Sequence, residues 1–163
     1  MKLESEICTK IEIAGLLHDL GKLHIPDELL NKKSPLTDEE SDVIKTHVYA
    51  TYKILSKIKG MEEITQWALQ HHEKLNGTGY PNHCEQKTIS LPARIVAVAD
   101  IFQALAQKRP SRTNLEPLKI LELLQGKVIA GEIDSDVVAI VEKYLQQCWE
   151  ISLFHSYRLS MDV

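Results

Sequence analysis

An all-α fold is what this sequence predicts, on three observations. Apolar residues recur at three- and four-residue spacing in most segments. Proline, threonine and aspartate stand where helices would begin. No run alternates apolar and polar residues over a convincing strand length.

The first segment, about Leu3 to Leu20, carries Ile7, Ile11, Ala14 and His18 on one stripe and Ile13, Leu17 and Leu20 on another. A helix apolar on two sides is expected to be central, and Gly21 is a natural stop after it. Pro26-Asp27-Glu28-Leu29-Leu30 predicts a short helix with proline at its first position. Thr37-Asp38-Glu39-Glu40 has the form of a capping box with acidic residues in the first turn. It predicts a helix to about Lys57, with Val43, His47, Ala50, Ile54 and Ile58 on one face. A further helix is expected from about Met61 to His72, and Gly, Asn and Pro mark Lys74 to Leu91 as loop. Pro92 opens a strongly apolar helix to about Gln107, and Pro117 opens another that ends near Gly126. Asp134 caps a last helix through about Trp149. Residues 150–163 show no clear pattern. The expected organisation is a single-domain helical bundle, 1–149, followed by a C-terminal tail, 150–163.

Composition narrows the function. With 163 residues, 44% of them hydrophobic, the chain can bury a core of its own. Its net charge of −4, with both signs interspersed, argues against a broad polyanion-binding surface, so neither DNA nor RNA is an expected partner. Cys8, Cys84 and Cys148 are odd in number and far apart, which fits reduced thiols and a cytoplasmic setting. No apolar stretch approaches the roughly 20 residues of a membrane span, and there is no signal-peptide pattern.

Three stretches carry chemistry: His18-Asp19, His71-His72 before a glycine-broken turn, and Asp100 inside the apolar run Ile95–Phe102. Imidazoles and carboxylates are what divalent transition metals bind. A lone His-Asp pair reads equally well as a helix-terminal histidine beside a solvated aspartate, and His47 alone reads as a core histidine. Asp100 is harder to explain without a cation, because burying an unpaired carboxylate costs several kcal/mol. On a helix, the side chains of His18 and Asp19 diverge by about 100° and can serve two metals, or one metal with the carboxylate bridging to a second. Together these residues predict a binuclear centre suited to hydrolysis at phosphorus. Mixed N and O ligation fits Fe, Mn, Zn, Co or Ni. Lys22 is either a phosphate-holding or proton-donating group near the metals, or a solvated lysine at a helix end.

His18-Asp19-Leu20-Gly21-Lys22 resembles the HD-x-GK motif of the HD superfamily of metal-dependent phosphohydrolases, and His71-His72-Glu73…Gly77-Thr78-Gly79-Tyr80-Pro81 resembles the HHExxDGxGYP motif of its HD-GYP branch. Ile25-Pro26-Asp27…Leu30-Asn31-Lys32, Asp100–Leu105 and Arg109-Pro110-Ser111-Arg112 resemble further segments of that branch, and the resemblance covers roughly Ile11 to Leu145. It implies a bacterial signalling enzyme that opens cyclic di-GMP to pGpG and often continues to GMP. It implies two metals on His18, Asp19, His47, His71, His72 and Asp100, a phosphate contact from Lys22, and substrate contacts from Gly79, Tyr80, Arg109 and Arg112. The two arginines also make sense as a local basic clamp on an acidic protein.

The sequence departs from that pattern in three ways. The family's first histidine would fall before Met1, so an N-terminally short domain is expected: either the upstream part was trimmed, or Glu4 or Glu12 substitutes as a ligand, or the domain is not catalytic, and a second copy would cover faces left bare. Asn76 stands where the turn usually has Asp, and Gln103 where a carboxylate is often found. Asparagine can keep a turn's hydrogen bonds while losing the charge. Two other functions therefore stand beside the phosphodiesterase. One is a degenerate module that binds a cyclic dinucleotide, or a diguanylate cyclase domain through the GYP loop, without turnover. The other, against which Gly79-Tyr80-Pro81 argues, is hydrolysis of another nucleotide.

Overall fold

The computed structural model describes residues 3–107 and 114–159, with side chains to residue 153. Nine α-helices are present among these residues, with one 3-10 helix over Leu20–His24 and no strand beyond an isolated bridge between Asn76 and Glu85. The all-α expectation holds. None of the described helices is long and apolar enough to cross a membrane. The chain forms two compact units, Met1–Ala97 and Val98–Val163, with the boundary inside one continuous helix.

In the first unit, α1 (Ser5–Leu17) packs on α5 (Glu62–Gln70), and α4 (His47–Leu55) packs on both α5 and the 3-10 helix. Ala14, Ile64, Trp67, Ile89, Ala93 and Val96 form the core between them, flanked by Ile7, Ile11 and Ile13. Ala14 is the single fully buried residue of α1, and Leu16 is 76% exposed, so α1 is not the central helix its two stripes predict. Pro26 sits at the N-cap of α2 (Asp27–Leu30), one position earlier than expected.

Thr37 builds the anticipated capping box on α3 (Asp38–Lys45): its hydroxyl accepts from Glu40 N, and its own amide donates to Glu40 Oε2 at 2.8 Å. One long helix was expected after it, but the chain breaks at Thr46. There the Thr46 hydroxyl donates to the Val43 carbonyl at 2.6 Å, a local bond that competes with helix continuation. The break makes His47 the first residue of a new helix.

α6 (Leu91–Ala106) runs from the first unit into the second, where α7 (Pro117–Ile129) packs on α8 (Ser135–Lys143) and α9 (Leu145–Leu159). Pro117 opens α7 as expected, but Gly126 stays helical. The glycine that ends the helix is Gly131, at φ +69°, a left-handed position that favours glycine. Asp134 caps α8 by accepting from Asp136 N and Val137 N at 2.9 and 3.1 Å. α8 stops at Tyr144, and α9 continues well past Trp149 into the segment read as a patternless tail.

Candidate metal centre

Three histidines are oriented by the same local device. His18 is the C-cap of α1, His71 is the C-cap of α5, and His47 opens α4 directly after α3. Each turns its Nδ1 back to the carbonyl three residues earlier. His18 meets Gly15 O at 2.7 Å, His47 meets Ile44 O at 2.7 Å, and His71 meets Ala68 O at 2.6 Å. A carbonyl can only accept, so Nδ1 carries the proton and Nε2 is the nitrogen left to face the site. Metal-binding histidines are commonly held this way.

The rings converge. His71 lies 4.7 Å from His18 and 5.7 Å from His47 between centroids, and His72 lies 3.8 Å from His71 and 5.3 Å from His47. One ligand atom from each of Asp19, His47, His71 and His72 falls within 4.8 Å of all the others. His47 and His71 are buried, at 1% and 2% exposure. Asp19 sits between two rings, with Oδ2 at 3.2 Å from His18 Nε2 and Oδ1 at 3.2 Å from His47 Nε2. His18 keeps right-handed helical dihedrals at the end of α1, and Asp19 departs from them at φ −101°.

Asp19 is ionised. Burial pushes its carboxyl up, but the opposing contacts, Lys22 among them, hold it well below the usual carboxylate range. Lys22 Nζ donates to Asp19 Oδ2 at 2.5 Å. Asp19 Oδ1 and His47 Nε2 are both buried and make no hydrogen bond to each other. Such a carboxylate and imidazole can face one another only if the ring takes a second proton or a cation lies between them. This mixed N and O donor set fits a divalent transition metal.

Two residues support the site through backbone contacts that the sequence does not reveal. Thr51, on α4, accepts from Gly21 N at 2.8 Å and donates to His18 O at 3.0 Å. Glu73, 5% exposed, accepts from Asn82 N at 2.6 Å and Cys84 N at 2.9 Å, which fastens the far side of the turn after His72. The turn itself is tight. Gly77 has φ +76°, and a Cβ on Gly79 would overlap the backbone of Glu73 and Lys74. Asn76 keeps the turn's bonds as expected, its Oδ1 accepting from Thr78 N at 3.1 Å and Thr78 Oγ1 at 2.7 Å. Tyr80 N donates to His72 O at 3.2 Å, and the Tyr80 ring lies 4.7 Å from that of His72.

His18, Asp19, Lys22, His47, His71, His72 and Tyr80 are thus gathered in the first unit, with the Gly79 backbone buried beneath them. Asp100 lies on α6 within the second unit and is half-buried. Arg109 and Arg112 lie outside the described residues. Gln103 is on the exposed side of α6.

The family described as HD domain matches residues 1–137. The chain is similar to a 3′3′-cGAMP-specific phosphodiesterase 1 of Vibrio cholerae, with 36% identity over 94% of this chain and 36% of that protein. It is similar to a cyclic di-GMP phosphodiesterase of Thermotoga maritima, with 37% identity over 82% of this chain and 38% of that protein. It is also similar to the cyclic di-GMP phosphodiesterase response regulator RpfG of Xanthomonas campestris, with 44% identity over 66% of this chain and 29% of that protein. The chain therefore spans well under half the length of these relatives. With its histidines and Asp19 gathered as an HD motif requires and a GYP turn closing over them, the chain belongs to the HD domain family, in its HD-GYP branch.

Proposed function

We propose that this domain is a metal-dependent phosphodiesterase for a 3′,5′-linked cyclic dinucleotide, cyclic di-GMP first and 3′3′-cGAMP second. The observation that carries the reading is the shared Nδ1-to-carbonyl bond of His18, His47 and His71, which leaves Nε2 of each for a metal. The proposed ligands are His18, Asp19, His47, His71 and His72, with Asp100 added on the strength of the resemblance, for two divalent ions. Metals held there supply Lewis acidity and a nucleophile usable at neutral pH. Hydrolysis adds water across one P–O bond, so the leaving ribose oxygen must gain a proton. We assign that role, or the holding of a phosphoryl oxygen, to the Lys22 ammonium beside Asp19. Gly79 and Tyr80 of the turn are proposed as substrate contacts on the strength of the resemblance. Arg109 and Arg112 are proposed as the phosphate clamp on sequence grounds alone.

The test is elemental analysis of the purified chain together with turnover of cyclic di-GMP under Mn²⁺ or Fe²⁺. Two metals per chain with product formed, and loss of both a metal and turnover in His71→Ala, is the expected result. Dinucleotide binding without product would leave only a binding module. Exposed Asn76 and Thr78 at the turn's tip favour one second reading, that of a docking edge for a diguanylate cyclase domain. Co-purification with such a domain, lost when Thr78 becomes Arg, is its test.

A further inference from the structure

We propose that Thr51 is a positioning residue that sets the offset between the His18-Asp19 pair and His47. The inference rests on the metal-binding part of the reading above and not on turnover. Thr51 is 0% exposed and stands one helical turn after His47 on α4. Its hydroxyl spans the point where the chain leaves α1, accepting from Gly21 N at 2.8 Å and donating to His18 O at 3.0 Å. The first belongs to the start of the 3-10 helix and the second to the end of α1, so one hydroxyl links the two elements to α4.

The same stretch lies directly on α4. A Cβ on Gly21 would overlap the His47 carbonyl oxygen and come within 2.7 Å of Thr51 N and 2.9 Å of Ala50 Cβ. Gly21 therefore permits the approach, and Thr51 fixes where along α4 it occurs. One turn of α4 presents His47 to the site, and the next clasps the backbone of the residue that presents His18 and leads into Asp19. Metal sites tolerate only a few tenths of an ångström in ligand position, so a clasp on the ligand-bearing backbone acts on the metal through His18 and Asp19. The role needs one group that donates and accepts at once. A hydroxyl does this, and the nearly isosteric valine does not.

The test uses the full chain as Thr51→Val and Thr51→Ser, with Leu55→Ala as a control. Leu55 is 1% exposed on the same helix and touches none of the ligands' hydrogen bonds. Co²⁺ affinity is read by chelator competition, the Co²⁺ absorption band reports ligand geometry, and the melting temperature of metal-free protein reports the fold. Thr51→Val is expected to bind Co²⁺ about 10- to 100-fold more weakly with an altered band. Thr51→Ser should restore both, and Leu55→Ala should melt earlier yet keep wild-type affinity. Wild-type affinity in Thr51→Val overturns the proposal, as does an equal loss in Thr51→Ser or in Leu55→Ala. If Thr51→Val does not fold, an affinity loss in Thr51→Ser still overturns it. Wild-type protein that takes up no Co²⁺ overturns this inference and the metal centre together. Wild-type protein that binds Co²⁺ without hydrolysing the dinucleotide overturns only the enzyme reading.

Discussion

At the scale of single residues, Lys22 and Glu73 carry charges for opposite purposes. Lys22 is half-exposed beside Asp19, within reach of a phosphate, while Glu73 is buried and spends both carboxylate oxygens on backbone amides. Lys22→Gln should therefore leave metal content unchanged and lower kcat by about 10²- to 10⁴-fold, the range for losing a positioned proton donor. Metal loss in that variant would mean that Lys22 serves only to orient Asp19. Glu73→Gln keeps the shape but turns an amide group toward a backbone N–H, leaving a buried donor unpaired at a cost of about 1–3 kcal/mol. Its melting temperature should fall while Co²⁺ affinity drops less than in His71→Ala, and an unchanged melting temperature would refute the staple. The residues of the histidine and Asp19 cluster were legible in the sequence because imidazole and carboxylate are uncommon on apolar stripes. The roles of Thr51 and Glu73 were not, because their partners are backbone groups, to which side-chain pattern is blind.

At the scale of the element, helix starts were read more accurately than helix ends. Thr37, Pro117 and Asp134 act through residues within one turn, so their sequence determines them. The breaks at Thr46 and Tyr144 fall inside continuous apolar patterns, and hydrophobic period alone runs straight through them. Thr46 matters most, since it lets His47 begin a helix rather than sit in the middle of one. The capping box fixes where α3 begins. Thr37→Ala should cost about 1 kcal/mol, lowering the melting temperature by about 2–4 °C for a chain of this size. Lys32 and then the Thr37 amide hold the half-buried Glu40 carboxyl below its usual value. A depressed carboxylate stabilises the fold above its unfolded pKa of about 4.3, and that contribution is lost as pH falls through the folded value. Glu40→Gln should thus melt below wild type at pH 7 and together with it near pH 3. A gap that persists in acid would show that the charge of Glu40 is irrelevant.

At the scale of the whole molecule, the all-α class was plain because no segment has strand periodicity, whereas the division at Ala97–Val98 was hidden within the single apolar helix α6. That division supplies a way to locate metal binding. The two tryptophans report separately: Trp67 is buried in the first unit's core, and Trp149 donates to Leu115 O in the second unit. The four histidines and Asp19 of the cluster all belong to the first unit. A metal at 100 times its dissociation constant stabilises the fold that binds it by about 2.7 kcal/mol. In Trp149→Phe, where Trp67 is the sole reporter, Mn²⁺ should raise the melting temperature by about 5–10 °C at pH 7.5. Imidazole ligands must be neutral to bind, so protons compete with the metal for them in acid. The Mn²⁺ shift should therefore shrink steeply between pH 7 and pH 5.5, and chelator should abolish it at either pH. A shift of equal size at both pH values would place the ion on carboxylates instead, and the histidine cluster would lose its claim to the metal.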